Sequence, residues 1–388
     1  MKRIAILGST GSIGKSTLNV VSACTNEFEV IGLTANTDIQ SLAEQIRCYK
    51  PRIAAIGKPE LVNELKQLVG ATNTRIVSGQ EGLVQVATHP DVDAVMAAIV
   101  GAAGLLPTLE AIKSGKEIHL ANKEVLVMAG EIVNKLLKEF QVDLLPVDSE
   151  HNAIFQCLHM ESRSAVEKII LTASGGPFRY MPQDELKDVT VEMALKHPNW
   201  DMGPKITVDS ATMMNKGLEI IEAHWLFQLE PAQIEVLIHP ESIIHSMVQF
   251  VDGSVLAQLG ASDMRIPIQY ALTYPRRISS SVPRLDFEKL GKLHFLKPDL
   301  EKFPALKIAQ EVLKQGHTFA VVMNAANEEA VGLFLKKKIQ FLDIMQSVEY
   351  VLGRHTPIPN ATLETIIQID QWARQEVRQW QQTLLSIK

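Results

Sequence analysis

The chain is poor in cysteine, and its cysteines are not spaced to work together. Cys24, Cys48 and Cys157 are scattered, with no CxxC pair among them. That excludes a disulfide scaffold and a cysteine zinc site, and it suits a reducing cytosol, so a cytoplasmic location is expected. The chain also lacks any apolar run of the ~18 residues that a membrane-spanning helix needs. It lacks an excess of positive charge: the net charge is −6. Nothing therefore predicts nucleic acid or an anionic membrane as a partner, although a local site for an anionic small molecule uses few residues and stays open. There is no internal repeat and no low-complexity tract. The N-terminus, MKRIAILGSTGSIG, pairs a basic start with a short apolar run. That run ends in a glycine loop without a cleavage-like tail, which argues against a targeting signal.

What is present is a long chain of ordinary globular composition, 388 residues, enough for two or three domains. Over the first 150 residues, short β-like runs (RIAILG, EVIGLTA, IAAIG, DAVMAAIV, EIHLA, VDLLPVD) alternate with helical stretches (KSTLNVVSAC, IQSLAEQIRCY, PELVNELKQLV, EVLVMAGEIVNKLLKEF). Alternation of this kind predicts an α/β fold, with an N-terminal doubly wound, Rossmann-like parallel sheet that binds ligands beyond the C-terminal strand ends. From 151 to about 275 the pattern changes to α+β. IFQCLHM and NKGLEIIEAHWLF read as helices; KIILTAS, KITVDS, IEVLIHP, SMVQFV and SVLAQLG read as strands. A broken stretch rich in Gly, Pro, Met and aromatics, about 174–204, reads either as a flap over a site or as a surface loop with a short helix. Residues 274–304 read as a proline-rich connection, and 305–388 as helices.

GSTGSIG, Gly8 to Gly14, follows a strand and opens a helix. Glycines there let the backbone turn tightly and approach a pyrophosphate, while the helix N-terminus offers free N–H groups. The spacing is GxxGxxG rather than GxGxxG, so a purely structural turn is the competing reading. At the end of the second strand Asn36 and Thr37 are neutral and Asp38 lies slightly far along, which allows NADP without demonstrating it.

In LLPVDSEHNAIFQ, Asp148 and Glu150 sit two apart. On a strand both would point to one side and repel unless a cation lay between them. Glu219, in NKGLE, is a third candidate that no spacing ties to the pair; two or three such carboxylates would suit a hard cation such as Mg²⁺ or Mn²⁺. The alternative is that Asp148 caps a helix beginning near His151 and Glu150 lies in its first turn. Other clusters are equally two-sided. Asn122, Lys123 and Glu124 follow a strand at its ligand end, or form a solvated loop. Ser174, Gly175 and Gly176 form a phosphate turn or an ordinary one. Ser210, Asn215 and Lys216 are phosphate donors or a helix start. His197 and Trp200 are flap or loop residues. His239 and His245 are site neighbours or buried structural histidines. The methionines at 202, 213, 214 and 264 read as core packing, and Lys336–Lys338 as a solvated helix end.

Taken together, GSTGSIG, LANKE, LLPVDSEHNAIFQ, TASGGPFR, KHPNWDMGPKITVDSATMMNKGLE, HPESIIHSMV and DGSVLAQLGASDMR resemble the 1-deoxy-D-xylulose 5-phosphate reductoisomerase family, over essentially the whole chain. The resemblance implies an NADPH-binding domain at 1–150 and a catalytic and dimerisation domain at 151–273 with its flap at about 174–204. A linker at 274–304 and a C-terminal helical domain at 305–388 would follow, in a homodimer. It implies rearrangement and NADPH reduction of 1-deoxy-D-xylulose 5-phosphate to 2-C-methyl-D-erythritol 4-phosphate, in isoprenoid biosynthesis. By it, Asp148, Glu150 and Glu219 hold Mg²⁺ or Mn²⁺, and Lys123, Glu150 and His197 are catalytic. Lys123, Ser149, Glu150, His197 and Trp200 face the substrate, while Ser174, Ser210, Asn215 and Lys216 take its phosphate. Thr10, Gly11, Ser12, Ile13, Asn122, Glu124 and Gly203 line the cofactor, with Asn36, Thr37 and Asp38 at its adenosine end. Many members carry a Lys or Arg where this chain has Thr37, so the expected preference for NADPH over NADH is narrower than in those members. Two rivals remain at this level. One is another NAD(P)-dependent dehydrogenase of the semialdehyde or homoserine type, which needs no metal triad. The other is a dinucleotide-sensing regulator, which would need a binding element such as a basic helix-turn-helix, and none is visible.

Overall fold

The computed structural model describes residues 1–24, 26–159, 161–200 and 202–387. Asp201, within the expected flap, and Lys388, at the end of the expected helical domain, lie outside the described residues, as do Thr25 and Met160. The chain forms two compact units. One comprises Met1–Val125, Glu131–Asn152 and Asp263–Pro283; the other comprises Leu126–Gly130, Ala153–Ser262 and Arg284–Lys388.

The first unit is built from β1 (Lys2–Leu7), α1 (Ser12–Ala23), β2 (Phe28–Ala35), α2 (Ile39–Tyr49), β3 (Ile53–Ile56), α3 (Val62–Val69) and β4 (Arg75–Ser78). It continues through α4 (Gly79–Ala87), β5 (Ala94–Ala97), α5 (Leu105–Lys113), β6 (Glu117–Leu120), α6 (Glu124–Phe140), β7 (Leu144–Pro146) and the start of α7 (Ser149–Cys157). Its seven strands form one sheet in the order β4-β3-β2-β1-β5-β6-β7. Every pairing is parallel. The central strands are apolar on both faces, as a sheet covered on both sides requires: Ile4, Ala5, Ile6 and Leu7 are fully buried. Strand order reverses between β1 and β5, and the glycine loop leaves β1 at that switch point, where such sheets bind their ligands. The expected doubly wound sheet is therefore present. Three of its elements, β4, α4 and α5, went unread because RIVS, GQEGLVQVA and LLPTLEAIK are short and carry no strong period.

The second unit contains β8 (Val166–Ala173), α8 (Val191–Ala194), α9 (Pro204–Ala211), α10 (Met214–Phe227), β9 (Ile234–Ile238), β10 (Ile244–Phe250) and β11 (Val255–Leu259). These strands make a mixed sheet in the order β11-β10-β8-β9, parallel only between β8 and β9. Next in the chain, α11 (Arg265–Thr273) packs on α1 within the first unit. The second unit resumes with α12 (Phe287–Leu290), α13 (Ala305–Gln315), α14 (Phe319–Leu335), α15 (Phe341–Arg354) and α16 (Leu363–Ile387). Here α14 packs against α13, α15 and α16. No helix of the described residues is long and apolar enough to cross a membrane.

Two expectations are corrected. KITVDS is not a strand: residues 204–211 form helix α9. Its Ile, Thr and Val favour strands locally, but Pro204 at the first helical position presets the helical φ. The Thr207 hydroxyl also satisfies the Gly203 carbonyl at 2.8 Å. Tertiary packing buries Thr207, Val208, Asp209 and Ala211 and completes the reversal. Nor do Asp148 and Glu150 share a strand. β7 ends at Pro146, and Glu150 lies in the first turn of α7.

At the opposite end of the first sheet, Lys2 Nζ lies 2.7 Å from Glu117 Oε1, and His119 Nε2 lies 2.9 Å from the same oxygen. Burial works to raise the Glu117 carboxyl, but His119 and Lys2 outweigh it and bring it down to about 2. Depression of a carboxyl makes its contribution to stability complete above its unfolded value and lost as pH falls toward the folded one. Glu117→Gln is expected to cost about 1 kcal/mol at pH 7, after allowance for solvent screening. The gap from wild type should close as pH falls from about 4.5 to about 2. Urea unfolding at several pH values checks this; a gap independent of pH would contradict it.

Candidate active site

The nucleotide end of the first unit is set by close backbone approach. Gly8 has φ +84°, and a Cβ there would lie 2.6 Å from the Ala98 carbonyl oxygen. A Cβ on Gly14 would lie 2.3 Å from the Gly8 carbonyl oxygen and 2.4 Å from Ser9 Cα. Neither position accepts a side chain, so the loop folds back tightly on the start of α1. Gly11 caps α1 and is exposed together with Ser12, while Thr10 and Ile13 are half-buried. The first-turn N–H groups of α1 thus open beyond the end of β1, the arrangement that receives a pyrophosphate. Asn36 and Thr37 are exposed at the end of β2. Asp38 is committed to the fold: its carboxylate accepts the Ser41 N–H at 3.0 Å and caps α2. Asn122 is buried and donates its Nδ2 to the carbonyls of Ile99 and Gly101, the latter at 2.9 Å, which fixes the loop after β5. Glu124 opens α6 directly behind it.

The adjacent parallel strands β6 and β7 bring Lys123 and Asp148 together, because each follows its strand at the same end of the sheet. Lys123 Nζ lies 2.5 Å from Asp148 Oδ2, with side chains only 7% and 12% exposed. The Ser149 hydroxyl donates to Glu150 Oε2 at 2.5 Å. Asp148, just ahead of α7, is thus paired with an ammonium that follows the neighbouring strand, and Glu150, in the first turn of α7, takes the Ser149 hydroxyl. The Lys123 partnership is a feature that the sequence did not reveal.

In the second unit, the flap segment and the sheet edge carry the other residues. Ser174 follows β8. Its hydroxyl lies 3.0 Å from His197 Nε2 and accepts the Gly176 N–H at 3.2 Å. His197 Nδ1 accepts two backbone N–H groups, from Asn199 at 3.2 Å and Trp200 at 2.9 Å. That pattern selects the neutral tautomer with its proton on Nε2, pointed at Ser174. Asn199, which drew no attention in the sequence, donates to the Pro240 carbonyl at 2.7 Å and to the Ser242 hydroxyl at 2.8 Å. It moors the flap segment to the loop before β10; a lone amide after His-Pro gave no signal of this. The Trp200 ring stands 6.3 Å from that of His245. His239 is structural: its Nδ1 faces the His294 carbonyl at 2.8 Å and its Nε2 accepts the Ile243 N–H. Gly203 is the exposed cap of α9.

The remaining predicted ligands lie along α9 and α10. Met213, in the left-handed region at φ +64°, turns the chain from one helix into the other. Asn215, Lys216 and Glu219 then share one face of α10 by helical spacing. Lys216 Nζ donates to Glu219 Oε2, and Asn215 Nδ2 donates to Glu219 Oε1 at 2.5 Å. Lys216 and Glu219 are almost fully buried. Ser210 sits one turn earlier on α9, and its carbonyl oxygen would lie 2.5 Å from a Cβ on Gly176. The glycine turn after β8 therefore rests directly on the helix that carries Ser210.

The tautomer assignment is testable. Nitrogen-15 spectra of the protein near neutral pH are expected to show His197 protonated on Nε2; a signal for Nδ1 protonation would contradict the hydrogen-bond pattern.

Comparison with known proteins gives a consistent result. The profile described as 1-deoxy-D-xylulose 5-phosphate reductoisomerase matches residues 4–130. The profile for its C-terminal domain matches 144–227, and the one described as DXP reductoisomerase C-terminal domain matches 259–376. A 1-deoxy-D-xylulose 5-phosphate reductoisomerase of Bacillus thuringiensis is 52% identical over 379 residues, covering 98% of each chain. That of Chlorobium chlorochromatii is 53% identical over 374 residues, covering 96% of this chain and 98% of its own. Among solved structures, the Zymomonas mobilis reductoisomerase in complex with NADPH is 46% identical with a TM-score of 0.92, over 98% of this chain and 99% of its own. A DOX-P reductoisomerase in complex with NADPH, fosmidomycin and magnesium is 42% identical with a TM-score of 0.94, over 99% of each chain. By sequence and by fold, this chain belongs to the 1-deoxy-D-xylulose 5-phosphate reductoisomerase family.

Proposed function

We infer that the chain converts 1-deoxy-D-xylulose 5-phosphate to 2-C-methyl-D-erythritol 4-phosphate with NADPH, a step of isoprenoid biosynthesis. The observation that carries this reading is the Lys123–Asp148 pair at the ends of neighbouring strands, with Glu150 in the next turn and a pyrophosphate-shaped glycine loop in the same sheet. A plain dehydrogenase needs the loop but has no use for the carboxylates.

The donor chemistry fits a divalent cation. Asp148, Glu150 and Glu219 would hold Mg²⁺ or Mn²⁺, all three being hard oxygen ligands. Glu219 has both oxygens engaged by Asn215 and Lys216, which orients it. The glycine loop fits NADPH, because Gly8 and Gly14 let the loop fold tightly enough for the first-turn N–H groups of α1 to face a pyrophosphate. When bound, the cation supplies Lewis-acid stabilisation of charge on the ketose oxygens and NADPH supplies the hydride.

The chain's own residues do the rest. Lys123 holds a mobile proton beside Asp148 and balances charge as the substrate's carbon skeleton rearranges. Glu150 and Ser149, joined by their hydrogen bond, orient the reacting hydroxyl groups. His197 faces the substrate beside Ser174, to whose hydroxyl its Nε2 proton points, and is steadied through Nδ1 by the flap backbone. Ser174, Ser210, Asn215 and Lys216 take the phosphate; Lys216 and Asn215 are the cationic and amide donors that a phosphate dianion favours. Trp200 covers the substrate, and closure of the 174–204 segment excludes water from the rearranging fragments. Thr10, Gly11, Ser12, Ile13, Asn122, Glu124 and Gly203 line the NADPH site. Asn36 and Thr37 donate to the adenosine-side phosphate, with Asp38 behind them as a helix cap.

Residues 1–150 thus serve NADPH, 151–273 catalysis and dimerisation, 274–304 connection and 305–388 support for the catalytic segment. A homodimer is favoured by the edge strand β11, whose Val255 and Leu256 are exposed side chains on an unpaired edge. Three free cysteines favour the cytoplasm.

Glu219→Gln is expected to lose most of its turnover while its NADPH affinity, measured by fluorescence titration, stays at the wild-type value. Wild-type turnover at limiting Mg²⁺ would remove Glu219 from the metal site. NADPH should exceed NADH in kcat/KM, because Asn36 and Thr37 can donate to a 2′-phosphate; equal values would refute that preference.

A further inference from the structure

Arg179 has no part in the account above, yet it touches the turn that carries Ser174. Its Nη1 donates to the carbonyl oxygens of Ser174, at 3.3 Å, and Gly176, at 3.1 Å. Its aliphatic stem lies under the same turn: a Cβ on Gly175 would sit 3.1 Å from Arg179 Cβ and 3.2 Å from its Cδ. Its Nε is buried without a hydrogen-bond partner among the described residues. No carboxylate among the described residues pairs with this guanidinium. The guanidinium lies over the face of the Tyr180 ring, 5.0 Å from its centroid. The arginine's own backbone is anchored in turn, because Lys302 Nζ donates to the carbonyls of Arg179, at 3.2 Å, and Met181.

Two physical consequences follow. In a trans peptide the C=O and the following N–H point in opposite directions. Capture of the Ser174 carbonyl by Arg179 therefore turns the Gly175 N–H away from the guanidinium. The left-handed φ values of Gly175, +80°, and Gly176, +68°, make that turn accessible to glycine and strained for other residues. The second consequence is electrostatic. A half-buried guanidinium that neutralises no carboxylate leaves a positive field around the turn, and an anion is the ligand that such a field favours.

We propose that Arg179 is a positioning residue for substrate phosphate. It locks the Ser174–Gly176 turn so that the Gly175 N–H and the Ser174 hydroxyl face the phosphate, and it supplies positive charge behind them. This rests on the reading of Ser174 and Lys216 as phosphate ligands, and the test separates the two claims.

With Mg²⁺ and NADPH present, kcat and KM are measured for 1-deoxy-D-xylulose 5-phosphate and for unphosphorylated 1-deoxy-D-xylulose, in wild type, Arg179→Met, Arg179→Lys and Lys216→Ala. Arg179→Met is expected to raise the KM for the phosphorylated substrate about tenfold or more. The preference for the phosphorylated over the unphosphorylated ketose should fall by a similar factor, while the KM for NADPH holds. Arg179→Lys, which keeps the charge but not the planar fork, should fall between the two. If Lys216→Ala loses the preference and Arg179→Met keeps it, the proposal is overturned and the phosphate reading stands. If Lys216→Ala also keeps it, the phosphate reading fails and the proposal with it. Should Arg179→Met not fold, Arg179→Lys decides: a reduced preference supports the positioning role, and a wild-type preference overturns it.

Discussion

A carboxylate withdrawn from water must be balanced by positive charge, and each of the two units meets that constraint in its own way. Asp148 is nearly buried beside Lys123, and Glu219 is buried against Lys216 and Asn215. Taking such charges out of water costs several kcal/mol each unless partners repay it. The parallel sheet provides one partner by geometry, since β6 and β7 deliver Lys123 and Asp148 from equivalent strand ends. Helix α10 provides the other through its own periodicity. The first pair joins residues 25 apart in the chain, whereas Lys216 and Glu219 lie three apart in the same NKGLE motif.

Tight joins also govern the residues proposed to take the phosphate. Ser174, Ser210, Asn215 and Lys216 come from a strand end and two consecutive helices, and the joins between these elements are tight. Gly176 sits against the Ser210 carbonyl, and Met213 adopts a left-handed conformation to turn α9 into α10. Further along α9, the buried Asp209 accepts the Asn327 side-chain amide at 2.8 Å and pairs with Lys205 at 2.9 Å. Helix α14 thereby braces helix α9, which carries Ser210.

The glycine loop, the alternating strands and helices of the first 150 residues and most of the second sheet could be read directly, because period and turn chemistry are local properties. Individual site residues could be named from the family's motifs but not from spacing alone. The Asp148–Glu150 spacing was compatible with a strand or a helix start, and only the end of β7 at Pro146 decides between them. KITVDS misled because β-branched residues prefer strands locally, while its burial and the proline before it are settled by the packed helix. What stayed hidden was partnership. Lys123 with Asp148, Asn199 with Pro240, and Arg179 with the Ser174 turn are contacts across a sheet or a loop, and no local pattern records them.

The central claim is that this carboxylate-rich constellation performs a metal-dependent rearrangement coupled to NADPH oxidation. It is tested most directly by following NADPH absorbance with 1-deoxy-D-xylulose 5-phosphate, with and without EDTA, and identifying the product. The account predicts oxidation that stops with EDTA, returns with Mg²⁺ or Mn²⁺, and yields 2-C-methyl-D-erythritol 4-phosphate. Oxidation indifferent to EDTA, or none from folded protein that binds NADPH in the presence of either metal, would contradict it.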